Sequence, residues 1–561
     1  MILILLLVFG AVIIGRLFFL QIENHSFYKA LAQGQQKLFT KVIGERGTIS
    51  VQDKNGNLYK VALNKEWPFL YVSPEQDKFK EADIETISSQ LGEILSLDKN
   101  SLREKLSRKS LYEVIKTRLT DEELEKVRGL GNKGLYIGKE KGRYYPYERF
   151  LSQVIGFVGG EGGGQYGIEE YWEDVLRGKE EIVESKKEPA GYFFFSEPPE
   201  AGSDIVLTID YNLQYQSEKL LSGAEKELNI EGGQIIILDS NTGKIVSLAN
   251  SPGFDPNEYQ KYAKRGDLDV FKNGAVQSIF EPGSVFKPIT MASALNEGKI
   301  TPFTAFTDTG SVKIGGRTIY NYDNRVWGKK TMTEVLERSI NTGAVFAQSQ
   351  ISHNTFLNYI EKFGIFELTN VGLPGEVFSQ NKELKKGYEI NFATASFGQG
   401  IEMTPLQLLR AYSAISNEGK LVKPYIVEKI AKEGKIIKTI EGEQSKEGII
   451  SEEVSSKLSA MLVSVIENGF AKSAKIDGYY VAGKTGTAQV AWSALGIKKE
   501  GYSDKTTQSF IGFFPAFKPK FLVLVKLDNP AARTAEYSAL PIFRKLAKYI
   551  IDYYQIPPDY E

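Results

Sequence analysis

The sequence contains no cysteine and only two histidines among 561 residues. Without thiols there is no disulfide, thiolate nucleophile, zinc ribbon or iron–sulfur cluster. Neither His25 nor His353 stands in an H-x-x-x-H spacing, which argues against a histidine-based metal site. A Ser-His-Asp triad would have to use one of these two. His25 lies beside an apolar run and His353 in a helical stretch, and both read as surface or satisfied side chains. Charge of one sign is missing too: 69 Lys and Arg against 70 Asp and Glu leave a formal −1, and no basic block points to nucleic acid. Serine activated by lysine is what remains for hydrolytic or transfer chemistry. The absence of cysteine suits an extracytoplasmic protein. Apolar residues at 42% and charged residues at 25% argue against wholesale disorder. The length corresponds to about three to five domain-sized units.

Residues 1–14 carry no charged side chain, and the apolar run resumes after Arg16 as far as Ile22. As one helix, residues 1–22 would span about 33 Å, enough for a bilayer core, with Arg16 snorkelling to an interface. No basic leader and no small-x-small cleavage site mark a removable signal peptide. The expectation is an uncleaved transmembrane anchor. No Lys or Arg precedes the run, so charge leaves its orientation open.

From 23 to 200 the patterning is mixed. Asp53-Lys54-Asn55-Gly56 is a turn signal between two strand-like runs. Residues 80–128 read as helical, with periodicity around 85–95 and 120–127. The glycine-rich stretch 159–164 lacks the Gly-Lys-Ser/Thr of a phosphate loop and reads as a mobile connection. Residues 197–202 read as a linker. Beyond it come a strand at 204–210, a helix to about 228, and a hairpin whose turn is Asp239-Ser240-Asn241-Thr242-Gly243. Helical segments dominate from about 284 to 420, strands return at 509–513 and 521–525, and a helix covers about 538–553. A hairpin, then helices, then strands completing its sheet describe an α+β domain of about 350 residues.

Three short elements can carry chemistry: Ser284-Val285-Phe286-Lys287, Ser339-Ile340-Asn341 and Lys484-Thr485-Gly486-Thr487. Alone each is weak, since a chain this long holds about three S-x-x-K and about two S-x-N by chance. Pro282 and Gly283 mark a helix start, so Ser284 falls near the first turn and Lys287 lies on the same face, within reach of its hydroxyl. To act as a base near pH 7, that lysine must lose about three pKa units through burial and a second cation, for which Lys484 is the candidate. Residues 479–483 look like a strand lining a cleft. In that strand Lys484 and two hydroxyls can hold a carboxylate, Gly486 lets a substrate backbone come close, and the Thr487 N–H can face a developing oxyanion. Ser339 and Asn341 fit a helix end or loop that offers a hydroxyl and an amide.

S-x-x-K, S-x-N and K-T-G in this order resemble the signature of penicillin-binding proteins and serine β-lactamases. The surroundings are similar to class B penicillin-binding proteins: Glu281-Pro282-Gly283-Ser284, Gly398-Gln399-Gly400-Ile401, Thr404-Pro405-Leu406-Gln407, Arg46-Gly47 and Tyr166-Gly167-Ile168-Glu169. The resemblance implies a membrane anchor at 1–22, an elongated pedestal (dimerisation) domain at 23–200, and a transpeptidase domain at 204–556 with an antiparallel sheet flanked by helices. It implies a peptidoglycan D,D-transpeptidase in the cytoplasmic membrane with its catalytic domain outside. In that reading Ser284 is the nucleophile, Lys287 its base and Ser339 a proton relay. Asn341 binds the donor amide, and Lys484, Thr485 and Thr487 hold the terminal carboxylate. The N–H groups of Ser284 and Thr487 form the oxyanion hole. Implied partners are stem peptides, the lipid-linked precursor polymer, β-lactams and a membrane glycosyltransferase; no cofactor, metal or nucleic acid is implied. Ser-Ile-Asn replaces the commoner Ser-Ser-Asn, and the family's usual basic cytoplasmic tail is missing. Asn341 and the run Ser509 to Phe513 resemble the division-type branch more than the elongation type. The rival readings are a carboxypeptidase or β-lactamase, against which the size of the N-terminal half speaks, and a non-catalytic scaffold of a cell-wall synthesis complex.

Overall fold

The computed structural model describes Gly10 and residues 37–132, 134–188, 191–194 and 199–560. The expected anchor at 1–22, apart from Gly10, and His25 lie outside them. Among the described residues no helix is long and apolar enough to cross a membrane.

The chain forms two compact units, residues 1–47 with 174–204, and residues 48–173 with 205–561. In the first, strands Lys37–Ile43, Glu180–Glu188 and Gly191–Phe194 make one antiparallel sheet in that order. Its chain crossings are tight enough to demand glycine. A Cβ on Gly202 would meet the Leu176 carbonyl oxygen at 1.8 Å. The Gly202 N–H donates to Glu45 O at 2.8 Å, so this end of the expected linker is tied down.

The second unit holds a seven-stranded sheet gathered from distant parts of the chain. Its order is Lys435–Thr439, Val427–Lys432, Asp204–Asp210, Ile49–Gln52, Leu58–Val72 and Glu113–Lys116, with Leu135–Tyr144 also pairing Leu58–Val72. The strand Asp204–Asp210 runs parallel to Ile49–Gln52, so packing joins segments on both sides of residues 200–204. The expected turn at 53–56 is present: Asp53 Oδ1 accepts from the N–H groups of Asn55 and Asn57, each at 2.9 Å. Helices Glu81–Leu95, Lys99–Ser107 and Asp121–Gly129 bury Ile87, Leu91, Leu102 and Val127 against Leu70 and Val72 of the sheet. All three fall in the stretch expected to be helical, about 80–128, which the strand Glu113–Lys116 interrupts. Glu169 is fully buried and accepts from Arg143 Nε at 2.7 Å, which gives the Tyr166–Glu169 motif a structural role. The glycine-rich stretch is a short hairpin rather than a mobile connection. Phe157–Val158 pairs with Gly164–Gln165, and the Gly162 N–H closes the turn on Gly159 O at 2.9 Å.

A five-stranded antiparallel sheet carries the rest. We label its strands β1 (Gly232–Asp239), β2 (Ile245–Ser251), β3 (Ala482–Ala491), β4 (Tyr502–Phe514) and β5 (Phe521–Asp528). Their spatial order is β2-β1-β5-β4-β3, which makes β3 an edge. Residues 521–527 of β5 are all buried, as expected for a central strand covered on both faces. Helices Tyr211–Leu228 and Ala539–Tyr554 pack together and against this sheet. A second group comprises α1 (Lys287–Asn296), α2 (Met332–Glu337), α3 (Asn341–Ser349), α4 (Pro405–Ser416) and α5 (Glu452–Glu467). In α1 every residue from Lys287 to Leu295 is buried, the mark of a helix surrounded by protein. The stretch expected to be helical is interrupted at 305–331 by two small antiparallel pairs, Ala305–Asp308 with Gly328–Thr331 and Ser311–Ile314 with Arg317–Tyr320. His353 stacks on Phe392 with centroids 4.0 Å apart, an ordinary packing role.

Candidate active site

The turn that carries Ser284 is held from two sides. Gly283 has φ +62°, open to glycine at little cost, and its N–H donates to Gly398 O at 3.0 Å. Phe280 and Met403 exchange backbone hydrogen bonds at 2.9 and 3.1 Å. The Gly398–Met403 segment is therefore a brace for the Ser284 turn. Residues Gly283–Phe286 are a 3₁₀ turn, and the α-helix proper starts at Lys287 with Pro288 in its first turn, where no donor is lost. Residues three apart eclipse in a 3₁₀ turn. Lys287 Nζ accordingly lies 3.0 Å from Ser284 Oγ. Tyr412, fully buried on α4, donates its hydroxyl to Val285 O at 2.5 Å and so closes the same turn.

Ser339 sits between α2 and α3 with φ +54°. This left-handed kink aims both its carbonyl and its hydroxyl at one amine. Lys287 Nζ is 2.6 Å from Ser339 O and 3.1 Å from Ser339 Oγ, and 2.9 Å from Asn341 Oδ1. Asn341 Nδ2 donates to Tyr320 O at 3.0 Å, which fixes the amide's orientation. Beside it, Thr342 Oγ1 donates to the buried Asp308 carboxylate at 2.7 Å and the Thr342 N–H to Asn321 Oδ1 at 3.1 Å. Lys484, on β3, donates to Ser339 Oγ at 3.0 Å and to Thr485 O at 3.1 Å.

Both lysines are out of solvent, at 0% and 1% exposure. Burial, and then the neighbouring charge of Lys484, holds the Lys287 amine well below its ordinary range. Burial brings Lys484 down to about 8, with Glu536 pulling the other way. Donor counting assigns the Lys287 lone pair. A neutral amine has two N–H donors, and the Ser339 carbonyl and Asn341 Oδ1 can only accept, so they take both. The lone pair is left facing the hydroxyls of Ser284 and Ser339, which can donate to it.

Ser284, Lys287, Ser339, Asn341 and Lys484 thus form one hydrogen-bonded cluster. Thr485, Gly486 and Thr487 lie on the adjoining edge strand. Lys484 and Gly486 share the face toward the Ser284 turn; Thr485 and Thr487 alternate to the other. There Thr487 Oγ1 accepts from the Ala535 N–H at 3.1 Å. A Cβ on Gly486 would sit 2.7 Å from Ser509 Oγ and 3.0 Å from Pro282 O, so its bareness also seats the Ser284 turn on β3. Sequence reasoning also missed Tyr320, Tyr412, Glu281 and Glu536. Glu281 accepts from the Gly400 N–H at 3.1 Å and from Tyr502 Oη at 2.9 Å, and burial pushes it up to about 7. Only the motif around Glu281 hinted at any of these.

The family model described as penicillin binding protein transpeptidase domain matches residues 233–548, and that described as penicillin-binding protein dimerisation domain matches 41–207. Stage V sporulation protein D of Bacillus subtilis is 33% identical over 503 residues, covering 87% of this chain and 74% of that protein. The peptidoglycan D,D-transpeptidase FtsI homolog of Mesostigma viride is 28% identical, with 98% and 94% covered. Penicillin binding protein 2X from Streptococcus thermophilus shares the fold, with a TM-score of 0.73 at 22% identity over 92% of this chain and 80% of that one. With these matches and a buried Lys287 bonded to Ser284 and Ser339 beside an edge-strand lysine, the chain belongs to the class B penicillin-binding proteins.

Proposed function

We propose that this chain is a peptidoglycan D,D-transpeptidase working through an acyl-enzyme at Ser284. The observation that carries the reading is the Lys287 amine, fully buried, whose lone pair faces the hydroxyls of Ser284 and Ser339. Ser284 Oγ attacks the carbonyl between the two terminal D-Ala residues of a donor stem peptide as its proton passes to Lys287 Nζ. The N–H groups of Ser284 and Thr487 hold the tetrahedral oxyanion. As the C–N bond breaks, a proton reaches the leaving D-Ala amine through Ser339 Oγ, which stands between the two lysines. Asn341 Nδ2 aligns the donor amide, and the terminal carboxylate lies along the open edge of β3, reached by Lys484 from one face and by the Thr485 and Thr487 hydroxyls from the other. An amine from a second stem then attacks the ester and gives its proton to Lys287, which passes it to Ser284 Oγ as the ester C–O bond breaks, leaving the cross-link and free Ser284. β-Lactams acylate the same oxygen.

The septal, division-type role, a membrane anchor at 1–22, a pedestal at 23–200, a transpeptidase domain at 204–556 and a glycosyltransferase partner belong to the same proposal. Their support is the apolar N-terminal run and the Asn341 and Ser509–Phe513 patterns. Intact-mass spectrometry after benzylpenicillin, with peptide mapping, tests the chemistry. The expected result is one adduct on Ser284 that is absent in Ser284→Ala; an unlabelled wild-type protein would overturn it. Stem-peptide donor with and without an acceptor amine separates transfer from hydrolysis. Depletion in the source cell separates division from elongation, since filaments are expected from the first and rounded cells from the second.

A further inference from the structure

One ion pair spans the space between the two walls of the cluster. Arg533 Nη2 donates to Asp323 Oδ2 at 3.1 Å and Oδ1 at 3.3 Å. Arg533 belongs to the loop after β5, two residues before the Ala535 N–H that binds Thr487. Asp323 belongs to the turn after Tyr320, whose carbonyl binds Asn341. The pair therefore links the β3 wall to the Asn341 wall. Its two ends are held unequally. Asp323 and its neighbour Asn324 are both left-handed, with φ +56° and +53°, and Asn321 Nδ2 pins the turn by bonding Arg325 O at 3.1 Å and Asp308 at 2.9 Å. Asp and Asn are the side chains that accept this conformation most readily, and the bonds from Asn321 hold the turn in it. The guanidinium, by contrast, is 71% exposed and reaches out on a flexible stem, with the Tyr322 hydroxyl beside it as a second acceptor. Ion pairs this exposed are weakly held and readily exchanged.

We propose that Arg533 is a substrate-positioning residue that binds a second carboxylate of the peptide donor, one other than the terminal carboxylate, and that Asp323 occupies it until the donor arrives. A guanidinium that accepts a carboxylate in the free protein has the geometry to accept one from a ligand. A donor chain lying between Asn341 and the Lys484–Thr487 strand passes between the two loops that the pair joins. Binding exchanges one carboxylate for another, so no charge is left unpaired on Arg533. The Asp323 carboxylate returns to solvent, with Arg325 3.6 Å away. This inference rests on the transpeptidase reading and names a further determinant of its donor.

The test uses two stem-peptide donors, identical except that the carboxylates upstream of the terminus are free in one and amidated in the other. Arg533→Gln is expected to raise KM for the free-acid donor about fivefold to tenfold, with kcat little changed, and to leave the amidated donor unaffected. Asp323→Asn is expected to lower KM for the free-acid donor by about twofold, because the competitor is gone. High salt should shrink both differences. Opposite signs are the signature of exchange. If both substitutions move KM the same way, or Arg533→Gln affects the two donors equally, the pair is a structural strap and the proposal falls. Benzylpenicillin labelling keeps the two levels apart. No adduct on the parent protein removes the transpeptidase reading, whereas a normal adduct with an unaltered donor KM in Arg533→Gln removes only this one.

Discussion

Lys287 and Lys484 meet at a single oxygen: Ser339 Oγ lies 3.1 Å from the first amine and 3.0 Å from the second. Two buried amines this close resist being charged together, and the proton is given up by Lys287, whose pKa is held well below its ordinary range. Lys484 keeps its charge to about pH 8. The cluster thus supplies a base and a cation within one hydrogen-bonded unit.

That division of labour predicts the pH profile of acylation. Raising pH frees the Lys287 lone pair, so the rate rises; above about 8 Lys484 loses its charge, its grip on a carboxylate weakens, and the rate falls. Lys287→Met should slow benzylpenicillin acylation by about a thousandfold or more. Lys287→Arg should be as inactive, because a guanidinium offers charge but no lone pair at neutral pH. Stopped-flow acylation across pH 5 to 10 checks this, and an active arginine variant would show that charge alone suffices.

Lys484 should cost stability where it is charged. Its folded pKa of about 8 lies below the 10.5 of an exposed lysine, so between these values the unfolded chain binds more protons and stability rises with pH. At neutral pH both states are protonated, and the buried charge costs about 3 kcal/mol, at about 1.4 kcal/mol per unit. Lys484→Met is therefore expected to melt a few degrees higher than wild type at pH 7, with the gap closing toward pH 10, while losing acylation. Calorimetry at the two pH values decides it; a lower melting temperature at pH 7 would mean that the bond to Ser339 outweighs desolvation.

Gly486→Ala is expected to separate the nucleophile turn from β3. The new methyl meets Ser509 Oγ at 2.7 Å and Pro282 O at 3.0 Å. Overpacking of this kind costs about 1–3 kcal/mol, and misplacement of Ser284 should slow acylation by about a hundredfold. Ser509→Ala, which removes a buried hydroxyl that has no partner, should itself be neutral or mildly stabilising and restore part of the loss. An unaltered acylation rate in Gly486→Ala would leave the glycine only its substrate-contact reading.

Tyr412→Phe leaves the Val285 carbonyl without its partner in a fully buried place. The expected loss is about 1–3 kcal/mol in chemical denaturation. Acylation should slow, since the turn carrying Ser284 loses its clamp. A stable variant with normal acylation would show that the turn is held adequately by Gly398 and Met403.

The hydrogen-bonded cluster was legible because its contacts are local or carried by motifs: an amine three residues from a hydroxyl says what it can reach. The packing reason for Gly486 was out of reach because a sequence shows a missing side chain but not the atom filling its place. Asp323 and Arg533, 210 positions apart, and Tyr412 and Val285, 127 apart, share no motif. The short strands at 305–331 were lost because four-residue pairs carry too little alternation to stand out from neighbouring helices. The hairpin at 232–251 was plain, since its turn residues and apolar runs agree.

The seven-stranded sheet has a consequence for biogenesis. Its strands come from residues 49–72, 113–144, 204–210 and 427–439, so the first of them leave the ribosome long before their last neighbours exist. Until then Asp204–Asp210 is an open edge, and pairings this remote in sequence close slowly. A nascent chain stalled short of residue 427 would carry that bare edge, which makes the interval a window for chaperone capture or for aggregation.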